Sequence, residues 1–221
     1  MLARLLDPFL VLCSLGGVVV LLALVRRLHH ARPLSPFLLR KLLHALIGAL
    51  TLLMTALFQS RWWALVPPAV FTGVNSSPRL RSFLPELAED PKAGRGLWMF
   101  PFGVVLLYLA FWNGGDRGPV LAGLAALGLA DPAAAVVGSR MGQRRYAGWG
   151  YGRTVEGSLA FLLVAGVASG LVAAAMPGGA SPARAGILCG ALGAVAEALS
   201  PHGLDNVTVP LVVAAAYRFL A

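Results

Sequence analysis

Acidic residues are scarce in this chain: 9 aspartates and glutamates stand against 18 lysines and arginines in 221 residues, and charged side chains of all kinds reach only 12%. A soluble domain carries about 25% charged residues, so this composition, with 58% hydrophobic residues, excludes an ordinary soluble protein and indicates an integral membrane one. Long polar stretches are also missing. The longest runs from Asn75 to Arg95, so any chemistry must be built from helix ends and short loops. Cysteine is nearly absent: Cys13 and Cys189 lie far apart inside apolar segments, without metal-ligand spacing, and read as small core hydrophobes. There is no Gly-Lys-Ser phosphate loop, no internal repeat and no low-complexity linker. The chain therefore reads as one polytopic domain over residues 1–221.

What is abundant is long apolar runs and glycine, 26 of them, suited to helices packed through small residues. Runs near the ~20 residues a span requires fall at roughly 8–28, 37–58, 62–75, 97–113, 118–139, 155–176 and 184–200, with a shorter one at 205–220. The expected fold is all-α with seven or eight membrane segments. The first run ends in Arg26-Arg27 rather than a small-residue cleavage site, so it reads as a retained helix and not a signal peptide. The third contains Pro67-Pro68, which suggests a broken or re-entrant segment. Pro201 and Gly203 separate the last two runs, as in an interrupted hairpin.

The basic residues are distributed unevenly. Arg26, Arg27, Arg32, Arg40 and Lys41 flank the first connection, Arg79, Arg81, Lys92 and Arg95 the third, and Arg140, Arg144, Arg145 and Arg153 the fifth. The opposite side has Arg4, Arg61, Arg117, Arg184 and, with eight spans, Arg218. The positive-inside rule places the first group in the cytoplasm, in a multi-pass protein of the inner membrane with its N-terminus outside. Basic clusters between apolar runs suit anionic headgroups, and nucleic acid is not an expected partner. With this topology Asp131, Glu156, Glu197 and Asp205 all approach the cytoplasmic face.

Acids in an apolar segment are expensive and mark function by default. At ~100° per residue, Asp131, Ala135, Gly138 and Gly142 share one narrow helix face, an acid followed by small residues that would let a ligand approach the backbone. Asp131 suits Mg²⁺, a cation that prefers oxygen and is commonly shared with phosphates; plain helix packing would explain the glycines as well. Arg153-Thr154-Val155-Glu156-Gly157-Ser158 opens the sixth segment. Thr154 suits an N-cap and Glu156 the positive helix end. Beside Arg140, Arg144, Arg145 and Arg153 this helix start also forms a candidate triphosphate cradle. Glu197 lies deep enough to need a partner, and Asp205-Asn206 follows the Pro201–Gly203 break, where freed backbone can line a cavity. Arg40 and His44 are four apart on one face, next to Lys41, and are candidates for phosphate or lipid-hydroxyl binding. Asn75 and Glu86 carry little signal alone.

Taken in order, Arg40-Lys41-x-x-His44, Asp131-x-x-Ala134-x-x-x-Gly138, Thr154-x-Glu156-Gly157-Ser158, Glu197 and Leu204-Asp205-Asn206-x-Thr208-x-Pro210 resemble the CTP-dependent polyprenol kinase family, which includes phytol, dolichol and CTP-using diacylglycerol kinases. The resemblance covers most of the chain. It implies transfer of the γ-phosphoryl group of CTP to a membrane isoprenoid alcohol, with Mg²⁺ held by Asp131 and Glu197 or Asp205. It further implies proton removal by Glu156 or Asp205, and nucleotide contacts from Gly138, Arg140, Arg144, Arg145, Arg153, Thr154 and Asn206. Two departures stand out: Ala130 and Pro132 flank Asp131 where family members often have Gly-Asp, and Arg153 replaces a lysine. The Asp131 and Thr154–Gly157 blocks also resemble CDP-diacylglycerol synthase, which makes phosphatidate cytidylyltransfer the alternative chemistry. A small transporter is a third reading.

Overall fold

The computed structural model describes residues 2–77, 93–113, 115–146, 153–176, 180–201 and 203–220. Arg79, Arg81, Glu86, Lys92 and Gly152 lie outside these residues. The described chain is helical almost throughout: α1 Leu2–Ala31, α2 Pro36–Leu57, α3 Arg61–Ser76, α4 Ala93–Phe111, α5 Gly118–Ala125, a π turn Ala126–Ala130, α6 Asp131–Met141, α7 Val155–Ala175, α8 Pro182–Leu199 and α9 Asp205–Leu220. Arg145–Tyr146 (β1) and Arg153–Thr154 (β2) pair antiparallel between α6 and α7.

Leu5–Ala31, Pro36–Leu57, Gly118–Met141, Val155–Ala175 and Pro182–Leu199 are long and apolar enough to cross a membrane, and Gly96–Phe111 is a shorter apolar helix. Their outer faces confirm the class. Leu12, Leu163, Leu171 and Ile187 stand exposed, as does Phe219 on α9, Ile187 and Phe219 at 75% and 85%, where water would leave them uncompensated and lipid would not. The chain is an all-α polytopic membrane protein. The helix α3 runs unbroken through Pro67 and Pro68, so no break occurs there. The break between α8 and α9 does occur, with Gly203 at φ 87°, a left-handed conformation that glycine adopts without a Cβ clash.

The continuous rod α5–π–α6 is the axis of the bundle. Every residue of α5 is buried, and the rod touches α2 on one side and α7 on the other. Contact with α2 is backbone to backbone: a Cβ on Gly48 would lie 2.4 Å from Gly128 Cα. Gly128 sits within the π turn, so the two helices cross where the axis is widest. The helices α7 and α8 approach in the same way through Gly166, Gly170, Gly186 and Gly190, leaving their large side chains to the outside.

Candidate active site

The π turn determines the geometry of the site. Pro132 has no N–H, and the N–H of Asp131 reaches five residues back to the carbonyl of Ala126. The carbonyl of Leu127 therefore loses both helical donors, from residues 131 and 132. A buried carbonyl needs a partner, and His44 Nε2 donates to it at 2.8 Å. That bond fixes the proton on Nε2. The ring is held edge-on by Phe100, with centroids 4.7 Å apart, and Nε2 lies 3.8 Å from Asp131 Oδ2. Lys41, one turn before His44 on α2, donates from Nζ to the same carboxylate oxygen at 2.8 Å. A π turn inside an α-helix is frequently functional. Here it ends on Asp131, which is 8% exposed.

A second cluster lies beside the first. Arg153, on β2, pairs through Nη1 with Glu197 of α8, lies 3.7 Å from Asp205 Oδ2 of α9, and donates from Nη2 to the carbonyl of Ser200 at 3.0 Å. Glu197 is also 8% exposed, and its other oxygen accepts from Ser158 at 3.4 Å; Ser158 is in turn bonded to Tyr146 at 2.6 Å. Such a charge buried without its partner would be untenable. The Asp205 carboxylate accepts from the Asn206 N–H at 3.0 Å, and the Asn206 amide donates to the carbonyl of Gly203 at 3.3 Å.

Asp131, Asp205, Asn206, Lys41, His44 and Arg40 open on one cavity of about 390 Å³. From this polar end it runs down α2 between α1, α3 and α4, reaching Phe58, Ala64 and Tyr108. Its remaining wall is mainly aliphatic and aromatic, with Ser14, Thr51 and Asn75 as polar exceptions.

Several candidate residues stand elsewhere. Gly138 and Gly142 do not face an open space, because Thr154 fills it: a Cβ on Gly138 would lie 2.8 Å from Thr154 Oγ1. That oxygen caps α7 by accepting from the Gly157 N–H at 3.1 Å. In this structure the small-residue face packs α6 against α7. Glu156 points at the hairpin and accepts from the Arg144 N–H at 3.4 Å; it does not line the cavity. Arg140, Arg144 and Arg145 are exposed, and Arg140 lies nine residues beyond Asp131, ~14 Å along α6. Glu197 meets Arg153 rather than the cavity. Among the described residues no group of three or more His, Cys, Asp or Glu side chains forms a ready metal set; the carboxylates are spaced by Lys41 and Arg153 instead.

The chain is similar to a phytol kinase. It is 27% identical over 210 residues to the phytol kinase of Synechocystis sp., covering 89% of this chain and 84% of that protein. This similarity supports a polyprenol-kinase-like family. No protein-family model and no solved structure matches the chain.

Sequence reasoning did not find the pairing of Lys41 with Asp131, the π turn or the Tyr146–Ser158–Glu197 chain of hydrogen bonds. Pro132 was the available signal for the second, as a proline inside an apolar helix next to an acid.

Proposed function

We propose that this protein is a lipid kinase that moves the γ-phosphoryl group of CTP onto an isoprenoid alcohol, phytol or a related compound, at the cytoplasmic face of the inner membrane. One observation carries the reading: Lys41, His44, Asp131 and Asp205 meet at the end of a long apolar cavity. A hydroxyl on a hydrocarbon tail would lie there with its head among charges and its tail along the wall. The similarity to a phytol kinase supports the same substrate class.

Phosphoryl transfer calls mainly for positioning and charge neutralisation, and the residues suit it. The alcohol oxygen attacks the γ-phosphorus, the bond to the β-phosphate oxygen breaks, and CDP leaves. Asp205, on the cavity wall, takes the alcohol proton. Lys41 exchanges its carboxylate partner for a phosphate oxygen. His44 keeps α2 and the π turn in register, so that the Asp131 carboxylate faces the phosphates. Arg153 supplies a fixed positive charge behind Asp205. The Asp131 carboxylate, once Lys41 has left it, is a hard oxygen donor that suits Mg²⁺ together with phosphate oxygens, and the ion when bound would offset the charge of the triphosphate. Glu156, Arg140, Arg144 and Arg145 are given no step.

Product analysis by mass spectrometry tests this. Purified protein with CTP and phytol should yield phytyl phosphate and CDP, and ATP should substitute poorly. Pyrophosphate and a cytidylylated lipid from phosphatidate would replace the proposal with cytidylyltransfer. Nucleotide-independent uptake in liposomes, with no product from CTP, would replace it with transport.

A further inference from the structure

The far end of the cavity is closed, and the closure is built. Phe58, Ala64 and Tyr108 line the cavity and are only 2%, 1% and 2% exposed, so this end is packed on all sides. The turn between α2 and α3 is tied down by Asp7 of α1, a buried carboxylate that accepts from the N–H of Gln59 at 2.8 Å and of Ser60 at 3.0 Å. Arg61 donates to the carbonyl of Trp112 at 3.1 Å and Arg117 to that of Ala56 at 2.9 Å. Trp112 packs edge-on against Tyr108 with centroids 5.3 Å apart, and the Tyr108 hydroxyl is bonded to Thr55. A buried acid spent on two loop amides is costly unless the loop must stay in place.

We infer that this floor is a ruler: Phe58, Ala64 and Tyr108 set the longest isoprenoid tail that the cavity accepts. The inference rests on the alcohol-kinase reading for its occupant, and adds to it the residues that select chain length. From His44 to Phe58, the residue that caps α2, is fourteen residues, an axial depth of ~21 Å. An extended chain advances ~1.2 Å per covalent bond, as in the extended polypeptide, so the depth spans about seventeen bonds and holds a hydroxyl with a main chain of about sixteen carbons, which takes about sixteen. With a methyl branch on every fourth carbon, that is a tail of four isoprene units. A tail of five would press on Phe58 while its hydroxyl sat at Asp131. Long polyprenols are excluded by the same floor.

The test is direct binding of the full chain in lipid nanodiscs, without nucleotide, by displacement of a photoreactive phytol analogue with alcohols of two to six isoprene units. The same alcohols are then assayed for phosphorylation with CTP. Binding should strengthen to four units and weaken about tenfold at five, the scale on which a pocket rejects excess hydrocarbon. Phe58→Ala should move the optimum to five units and Phe58→Trp to three. Ala64→Leu shortens the floor from α3 and gives an independent variant if Phe58 substitutions unfold the protein. An optimum unchanged in all folded variants, or wild-type binding that strengthens steadily to six units, overturns the ruler. Binding with a sharp four-unit limit but no phosphorylated product would overturn the kinase reading and leave the ruler standing. Phosphorylation of every length alike would do the reverse, and an absence of both binding and product would defeat both.

Discussion

Lys41 meets Asp131 through a single contact at 2.8 Å on the cavity wall, whereas Arg153 is held by Glu197 and the Ser200 carbonyl and lies 3.7 Å from Asp205. The Lys41 side chain is 23% exposed and that of Arg153 13%. An ammonium on a flexible stem is a point charge that can change partner, while a guanidinium fork engaged on several acceptors cannot leave one without losing the others. The difference shows how one polar region can be both adaptable and rigid. Arg153 ties β2 to the α8–α9 turn beside Asp205, and Lys41 keeps one acceptor that it can exchange for another.

This contrast can be broken at several strengths. Arg153→Met should have the largest effect, costing about 3–5 kcal/mol because Glu197 is left buried and unpaired. Adding Glu197→Leu should recover most of that loss without restoring turnover; denaturation of the two variants in detergent checks it. Lys41→Met also strips a buried acid of its partner, but Asp131 lines the cavity, where water or a cation can replace the ammonium. The loss of Tm should therefore be clearly smaller than for Arg153→Met, while kcat/KM falls about a hundredfold, roughly 2.7 kcal/mol of transition-state stabilisation. Steady-state CDP release reads it, and a loss of stability as large as that of Arg153→Met would erase the distinction. Gly128→Ala tests the crossing that holds Lys41 and His44 over Asp131. A Cβ there would lie 2.8 Å from Gly48 Cα, and overpacking of this kind costs about 1–3 kcal/mol, visible as a lower Tm. Tyr146→Phe should be mildest, about 1 kcal/mol for one hydrogen bond to Ser158, with activity nearly unchanged.

The seven or eight segments expected were legible because lipid forces a span to be long and apolar. Among the described residues five helices meet that demand, Gly96–Phe111 is shorter, and Arg61–Ser76 and Asp205–Leu220 are helices of only 16 residues. The expected 155–176 and 205–220 became Val155–Ala175 and Asp205–Leu220. The partner demanded by Glu197 was legible as a need, since a carboxylate so deep must be paired, but its identity as Arg153 was not. The helix order and the distribution of basic residues brought Asp131, Glu156, Glu197 and Asp205 to one face; of these Asp131 and Asp205 line the cavity, and Lys41 and His44 complete its polar end. The π turn was not legible, because the hydrophobic pattern carries no sign of one extra residue in a turn. Glu156 was grouped with the acids of the site because the topology brings the start of its helix to the same face as Asp131, Glu197 and Asp205. The hairpin Arg145–Thr154 turns it instead towards the Arg144 amide, and short strand pairing of this kind leaves no periodic trace. The Gly138 face showed the same ambiguity: small residues admit a ligand or a helix equally, and here Thr154 occupies the space.

The account depends on the Asp131 carboxylate, presented by the π turn at the head of the apolar cavity, being where phosphate is transferred. The most direct measurement is transfer of label from γ-phosphate-labelled CTP to phytol by wild type and by Asp131→Asn, in protein shown to be folded by an unchanged elution profile and Tm. The prediction is labelled phytyl phosphate from wild type and a loss of at least about a thousandfold in the variant. Labelled product at a comparable rate from Asp131→Asn would contradict it.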